Sequence, residues 1–206
     1  MDLIEPFGGF GLGLRRAHFP DFIEHDVAKA ADWERVIVAG EGRFGKVNVL
    51  VNNAGVIGPV KSMLEFTEED FLQVCAVNQL GVFLGMKAVL PSMMEAGGGS
   101  IVNIGAVVGL RGFAGDAAYG ASKAGVMALT RCSALEAAEF GVRINAVSPS
   151  IALHDFLKKA SSEELLASLA GREAFGRAAE VWEVANVMMF LASDYASYMV
   201  GEVLSV

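Results

Sequence analysis

The chain has 206 residues, 53% of them hydrophobic and 19% charged, with a net charge of −8 at pH 7. That size predicts one domain over residues 1–206 with a sizeable core; the composition excludes intrinsic disorder, and the acidic balance excludes nucleic acid and anionic membrane surfaces as partners. No uninterrupted apolar run reaches the ~20 residues that span a bilayer, and the N-terminus lacks the basic start and long apolar run of a signal peptide, so the expected location is the cytoplasm.

In chain order, Gly8–Gly9–Phe10–Gly11–Leu12–Gly13 is a glycine cluster that, on its own, reads as an N-terminal loop. Phe22 to Val27 predicts a short strand, and residues 28–44 predict a helix ending at Gly45. Val47 to Val51 is a strongly apolar strand, closed by the turn-former cluster Asn52–Asn53–Ala54–Gly55. Thr67–Glu68–Glu69–Asp70 is a capping-box helix start. The helical pattern then runs to about Met94, interrupted near Asn78 and Gly81, with Pro91 predicting a kink or a late stop. The remaining pattern gives a strand at 101–104, a helix at 118–138 ended by Gly141, and a strand at 142–147 closed by Ser148–Pro149. A helix start follows at Ser161–Glu164, then an apolar helix at 180–192 and a final strand at 201–206. Helices alternate with continuous apolar strands, which implies a parallel sheet with helices on both faces. Cys75 and Cys132 both fall in predicted helices. They read as buried small hydrophobes, not as a disulfide or a metal pair, and no metal site is expected.

Ile101–Lys123 carries the chemistry. A short strand leads into a loop with Gly105, Gly109, Gly112 and Gly115, and then into a helix bearing Tyr119 and Lys123 four residues apart, on one face. An ammonium near a phenol favours the phenolate, lowers the tyrosine pKa and makes the phenol a usable acid or base.

Taken in order, Asn52–Asn53–Ala54–Gly55, Asn78, Tyr119-x-x-x-Lys123 and Pro149 make residues 22–206 resemble the short-chain dehydrogenase/reductase family. The resemblance implies an α/β, Rossmann-like, doubly wound parallel sheet in three layers. It also implies NAD or NADP as cofactor, and hydride transfer between an alcohol and a ketone. Carried over, Tyr119 is the general acid/base on the substrate oxygen. Lys123 lowers its pKa and hydrogen-bonds the nicotinamide ribose, and Asn78 holds a water of the proton relay. Asn53, Ala54 and Gly55 support the cofactor, Asp26 and Val27 contact the adenine, and Pro149 and Ile151 flank the nicotinamide. Phe113, His154 and Phe156 are pocket-lining candidates. The stretch Glu173–Glu180 through Gly201–Glu202–Val203 looks like an actinobacterial branch that includes 3-oxoacyl reductases and enzymes acting on CoA thioesters in steroid breakdown.

The sequence departs from the family in three ways. Ala106 occupies the place of a serine whose hydroxyl bonds the substrate oxygen, and no Ser or Thr lies between Ile101 and Tyr119 to replace it. Loss of one such donor is worth roughly 3 kcal/mol in comparable sites, so a weak catalyst is expected. Gly9, Gly11 and Gly13 resemble a shortened dinucleotide-binding turn, yet only residues 14–21 separate them from the strand at Phe22. The first βαβ unit is therefore expected to be shortened or missing, with an unpaired sheet edge that favours association. Ser150 stands at a usual Gly position and Val181 at a common Pro position, and the pattern ends abruptly at Val206. The leading expectation is an oxidoreductase acting on a small alcohol or ketone as a homodimer or homotetramer. A catalytically silent relative that associates with intact family members is the second, and a small-molecule binding module the third.

Overall fold

The computed structural model describes residues 22–154, 157 and 162–206. Four parallel strands stand side by side in sequence order: β1 (Val49–Asn52), β2 (Gly99–Ile104), β3 (Val142–Ser148) and β4 (Val203–Ser205). Parallel neighbours need a crossover, and each one here is helical. Between β1 and β2 run α2 (Glu68–Cys75) and α3 (Gly81–Glu95); between β2 and β3, α4 (Ala117–Ala137); between β3 and β4, α5 (Glu163–Ala170) and α6 (Val181–Ala192). An earlier helix, α1 (Ala30–Phe44), precedes β1.

The period of two along each strand divides the core between the two faces. Ile101 and Ile144, paired in register, face α3 and α4 with Val89, Met93 and Val126, and Ile37 of α1 packs against the same cluster. Val102, Ile104 and Val147 face the other way, where Val184 and Leu191 of α6 cover them. The expected three-layer, Rossmann-like α/β arrangement is therefore present.

Local signals place the helix ends. Thr67 and Asp70 form the reciprocal cap of α2, with Asp70 N–H donating to Thr67 Oγ1 (3.1 Å) and Thr67 N–H to the Asp70 carboxylate (2.9 Å). Gly141 ends the helical part of the second crossover at φ 72°, a left-handed conformation that suits a residue without a Cβ. The expected interruption near Asn78 is a π turn (Ala76–Leu80) between α2 and α3, and Pro91 stays inside α3 without stopping it. Taken as one run, Glu68–Glu95 is long and apolar enough to cross a bilayer by length and composition, although polar residues interrupt it. Its Val82, Met86, Val89 and Met93 are packed into the protein core.

Three expectations fail or fall elsewhere. Residues 22–27 form no strand, because α1 takes up their backbone groups. Glu24 O accepts from the Arg35 guanidinium (2.6 Å), Asp26 N–H donates to Asp32 (2.8 Å), and Val27 O accepts from Trp33 Nε1 (2.9 Å). Cys132 is exposed on α4 rather than buried, and both cysteines are free. Gly9, Gly11, Gly13, Phe156 and Ser161 lie outside the described residues. Among the described residues β1 is an edge strand, and Val49 and Val51 on its α6-side face are 43% and 38% exposed.

A buried polar chain fixes β1 to β2 and β2 to α4. Asn52 Nδ2 donates to Asn103 Oδ1 (2.8 Å), Asn103 Nδ2 donates to Thr130 Oγ1 (3.0 Å), and Thr130 Oγ1 donates to Val126 O (2.8 Å). Asn103 and Thr130 have no solvent exposure. Replacing Asn103→Ala orphans the Asn52 amide in a dry site, and should lower the unfolding free energy in a urea titration by about 1–3 kcal/mol.

Candidate active site

The carboxyl ends of β1, β2 and β3 open onto one cavity of about 380 Å³, the place where open parallel sheets put ligands. Asn53 and Gly55 follow β1, Val107 and Val108 follow β2, and Ser150 and Ile151 follow β3 along its walls. Tyr119 and Lys123 complete it from α4.

Lys123 is 4% exposed, and its Nζ donates to Ile104 O at the end of β2 (2.8 Å). One carbonyl satisfies one of the three ammonium donors, leaving two for a ligand. Nζ also lies 5.8 Å from the centre of the Tyr119 ring. Burial pushes the ammonium down to about 8. It pushes the Tyr119 phenol up to about 12, and the Asp116 carboxylate adds to that rise. The expected lowering of the phenol pKa is thus reversed: desolvation disfavours both charged forms and outweighs the attraction between them.

Asn78 is fully buried, and its amide is committed to protein groups. Oδ1 accepts from Val56 N–H (2.7 Å), while Nδ2 donates to Val56 O (2.8 Å) and Ser122 Oγ (3.0 Å). Ser122 Oγ in turn donates to Tyr119 O (2.8 Å). The Asn78 side chain clamps the loop after β1 to the turn of α4 that carries Tyr119. At Gly55 a Cβ would stand 3.2 Å from Asn78 Oδ1 and 3.5 Å from Lys123 Nζ, so glycine keeps this floor open.

The other sequence candidates divide. Ile151, Phe113 and His154 border the cavity. Pro149 O accepts from Val107 N–H (3.0 Å), joining the ends of β2 and β3. Ala106 is buried just beyond β2, next to Val107 in the wall, and offers only a methyl group. Ala54 is exposed and stands outside the cavity lining. Asp26 and Val27 are also outside it: Asp26 pairs with Lys29 (3.1 Å), and Val27 packs against Gly81.

Residues 13–206 match the family model described as enoyl-(acyl carrier protein) reductase. The chain belongs to the short-chain dehydrogenase/reductase family. This is a family of oxidoreductases that use a nicotinamide cofactor. Among its relatives is a (5R,7aS)-5-hydroxy-7a-methyl-1-oxo-2,3,5,6,7,7a-hexahydro-1H-indene-carboxyl-CoA reductase of Mycobacterium tuberculosis. The two are 52% identical over 199 residues, which is 95% of this chain and 73% of the relative. A short chain dehydrogenase from Mycobacterium smegmatis superposes with a TM-score of 0.77 at 44% identity, over 89% of this chain and 68% of the other. NAD+-bound xylitol dehydrogenase does so with a TM-score of 0.82 at 29% identity, over 88% and 76%.

In this short-chain dehydrogenase/reductase, bare backbone at Gly55 lies beside the two spare donors of Lys123, which are the groups that could hold a cofactor. Arg111, Asp116, Arg172 and Glu173 also border the cavity and were not legible as site residues. Arg111 and Asp116 lie inside the Tyr119 stretch, but nothing in their spacing marks them, and the other two belong to a polar segment without periodicity.

Replacing Lys123→Met removes a charge that the fold disfavours only while it is protonated. The burden on the parent is present below pH 8 and fades as pH rises from about 8 toward the unfolded value of 10.5. The Tm of the parent relative to K123M should therefore rise between pH 7 and pH 10, as measured by scanning calorimetry.

Proposed function

We propose that this chain, as a single domain over residues 1–206, is an NAD(P)-dependent oxidoreductase. Its substrate is a hydroxyl or keto group on a small molecule of the acyl-CoA or steroid-derived kind. The observation that carries this is the Tyr119–Lys123 pair, half-buried and buried respectively, on one turn of α4 at the cavity formed by the strand ends. The M. tuberculosis relative, named as a carboxyl-CoA reductase, supports the substrate class.

Lys123 and Gly55 would hold the nicotinamide side of the cofactor, with Asn53, Pro149 and Ile151 around it. The cofactor, when bound, supplies or accepts hydride. Tyr119, with a pKa pushed up to about 12, stays protonated at neutral pH and donates to a carbonyl oxygen. The Lys123 ammonium then stabilises the phenolate that remains, so the protonation states favour reduction. Asn78 and Ser122 position Tyr119 through its backbone. Ala106 leaves the substrate oxygen without the second donor.

A second reading, favoured by Ala106, is a silent family member that associates with intact relatives. The exposed Phe71, Leu72 and Phe83 on α2 and α3 offer it a surface, and would equally serve a homodimer or homotetramer.

A fluorescence titration with NADH and NADPH separates the two: saturable binding supports the enzyme, and no binding to a folded sample supports the silent relative. In a ketone-reduction assay Tyr119→Phe should lower kcat at least 100-fold, and Ala106→Ser should raise it at least tenfold. The pH profile of kcat/KM should fall above about pH 8, as Lys123 loses its proton.

A further inference from the structure

We propose that the cavity selects substrates bearing an anionic group, and that Arg111 and Arg172 bind that group. This rests on the oxidoreductase reading of the same cavity. The two arginines come from separate segments, one just beyond the 3-10 turn at Val107–Gly109 and one just beyond α5, yet both border the space that holds Tyr119 and Lys123.

Neither guanidinium makes a hydrogen bond or ion pair among the described residues. The contrast with other arginines of the chain is informative. Arg177 binds both oxygens of Glu183 (2.8 Å each), Arg35 pairs with Asp32 (3.4 Å), and Arg143 donates to Leu191 O and Ser193 O (2.9 and 3.0 Å). With 24 acidic against 16 basic residues, carboxylate partners are abundant, yet among the described residues these two, like Arg131 on α4, take none, and only these two border the cavity. Two carboxylates, Asp116 and Glu173, share the cavity; among the described residues neither forms an ion pair with the arginines, and Glu173 accepts a hydrogen bond from Ser150 Oγ.

The rest of the lining is largely apolar, with Val56, Ile57, Val108, Phe113 and Leu169. The ligand this lining suits has an apolar body, a carbonyl for Tyr119 and an anion for the arginines. A guanidinium fork suits either a carboxylate or a phosphate. The anion can be a carboxylate on the apolar body itself or the phosphates of an acyl-carrying arm.

The test uses three probes on the full chain: 4-oxocyclohexanecarboxylate, its methyl ester and its coenzyme A thioester. Calorimetric Kd values are measured for the parent, R111Q, R172Q and the double variant. Both side chains are exposed, so folding should be retained. At least one charged probe should bind ten or more times tighter than the methyl ester, and the advantage should fall below threefold in the double variant. An advantage for the free acid identifies the carboxylate as the anion, and one confined to the thioester identifies the phosphates. Equal binding of the ester, an advantage that survives in the double variant, or no binding of any probe overturns the proposal. So does a loss of NADH or NADPH affinity in place of probe affinity, which would assign the arginines to cofactor phosphates. Turnover of the probes with NADH or NADPH is read separately, so absent turnover counts against the oxidoreductase reading while the binding preference is judged on its own.

Discussion

Three chain segments meet on the amide of Asn78. Its oxygen and one of its hydrogens engage the backbone of Val56 after β1, and its other hydrogen reaches Ser122 on α4, which holds the carbonyl of Tyr119. A buried amide with every partner made costs the fold little, while each partner removed leaves a group orphaned at about 1–3 kcal/mol. The junction is therefore all-or-none, and it fixes the cavity floor and the height of the phenol together. The π turn at Ala76–Leu80 that bears this amide inserts an extra residue into the helix, a distortion that recurs at functional sites.

Most of the architecture is legible in the sequence because it rests on local physics. The alternation of continuous apolar strands with amphipathic helices requires a parallel sheet covered on both faces. The Thr67–Asp70 cap and Gly141 mark helix ends by chemistry that acts within a few residues. The spacing of Tyr119 and Lys123 guarantees their shared face. What depends on distant partners is not legible. Phe22–Val27 has the composition of a strand, but strand formation needs a neighbouring ladder, and the side chains of α1 claim its backbone first. Proximity of ammonium to phenol suggests a lowered tyrosine pKa, yet the sign follows from how deeply the two groups are buried, which only the packed structure reveals. The clamp made by the Asn78 side chain is hidden for the same reason: its partners lie 22 and 44 residues away.

The cavity is chemically polarised against the rest of the molecule. The chain carries a net charge of −8, while the cavity gathers three basic side chains, Lys123, Arg111 and Arg172, against two carboxylates, Asp116 and Glu173, with largely apolar walls. A low-dielectric lining strengthens the field of each charge on whatever enters, so the excess of basic groups in the cavity favours an anion although the chain as a whole is acidic.

The Asn52–Asn103 contact has a further consequence for the order in which the molecule comes apart. Among the described residues β1 is paired on one side only, is four residues long, and has Val49 and Val51 open to solvent on one face. Asn53 and Gly55, which form the cavity floor, continue directly from it. An edge strand therefore carries part of the site, and a sub-global opening that frees β1 would abolish ligand binding while β2, β3 and α4 remain assembled. Protection of the β1 amides against hydrogen exchange is then a gauge of the competence of the site, separate from the global stability of the fold.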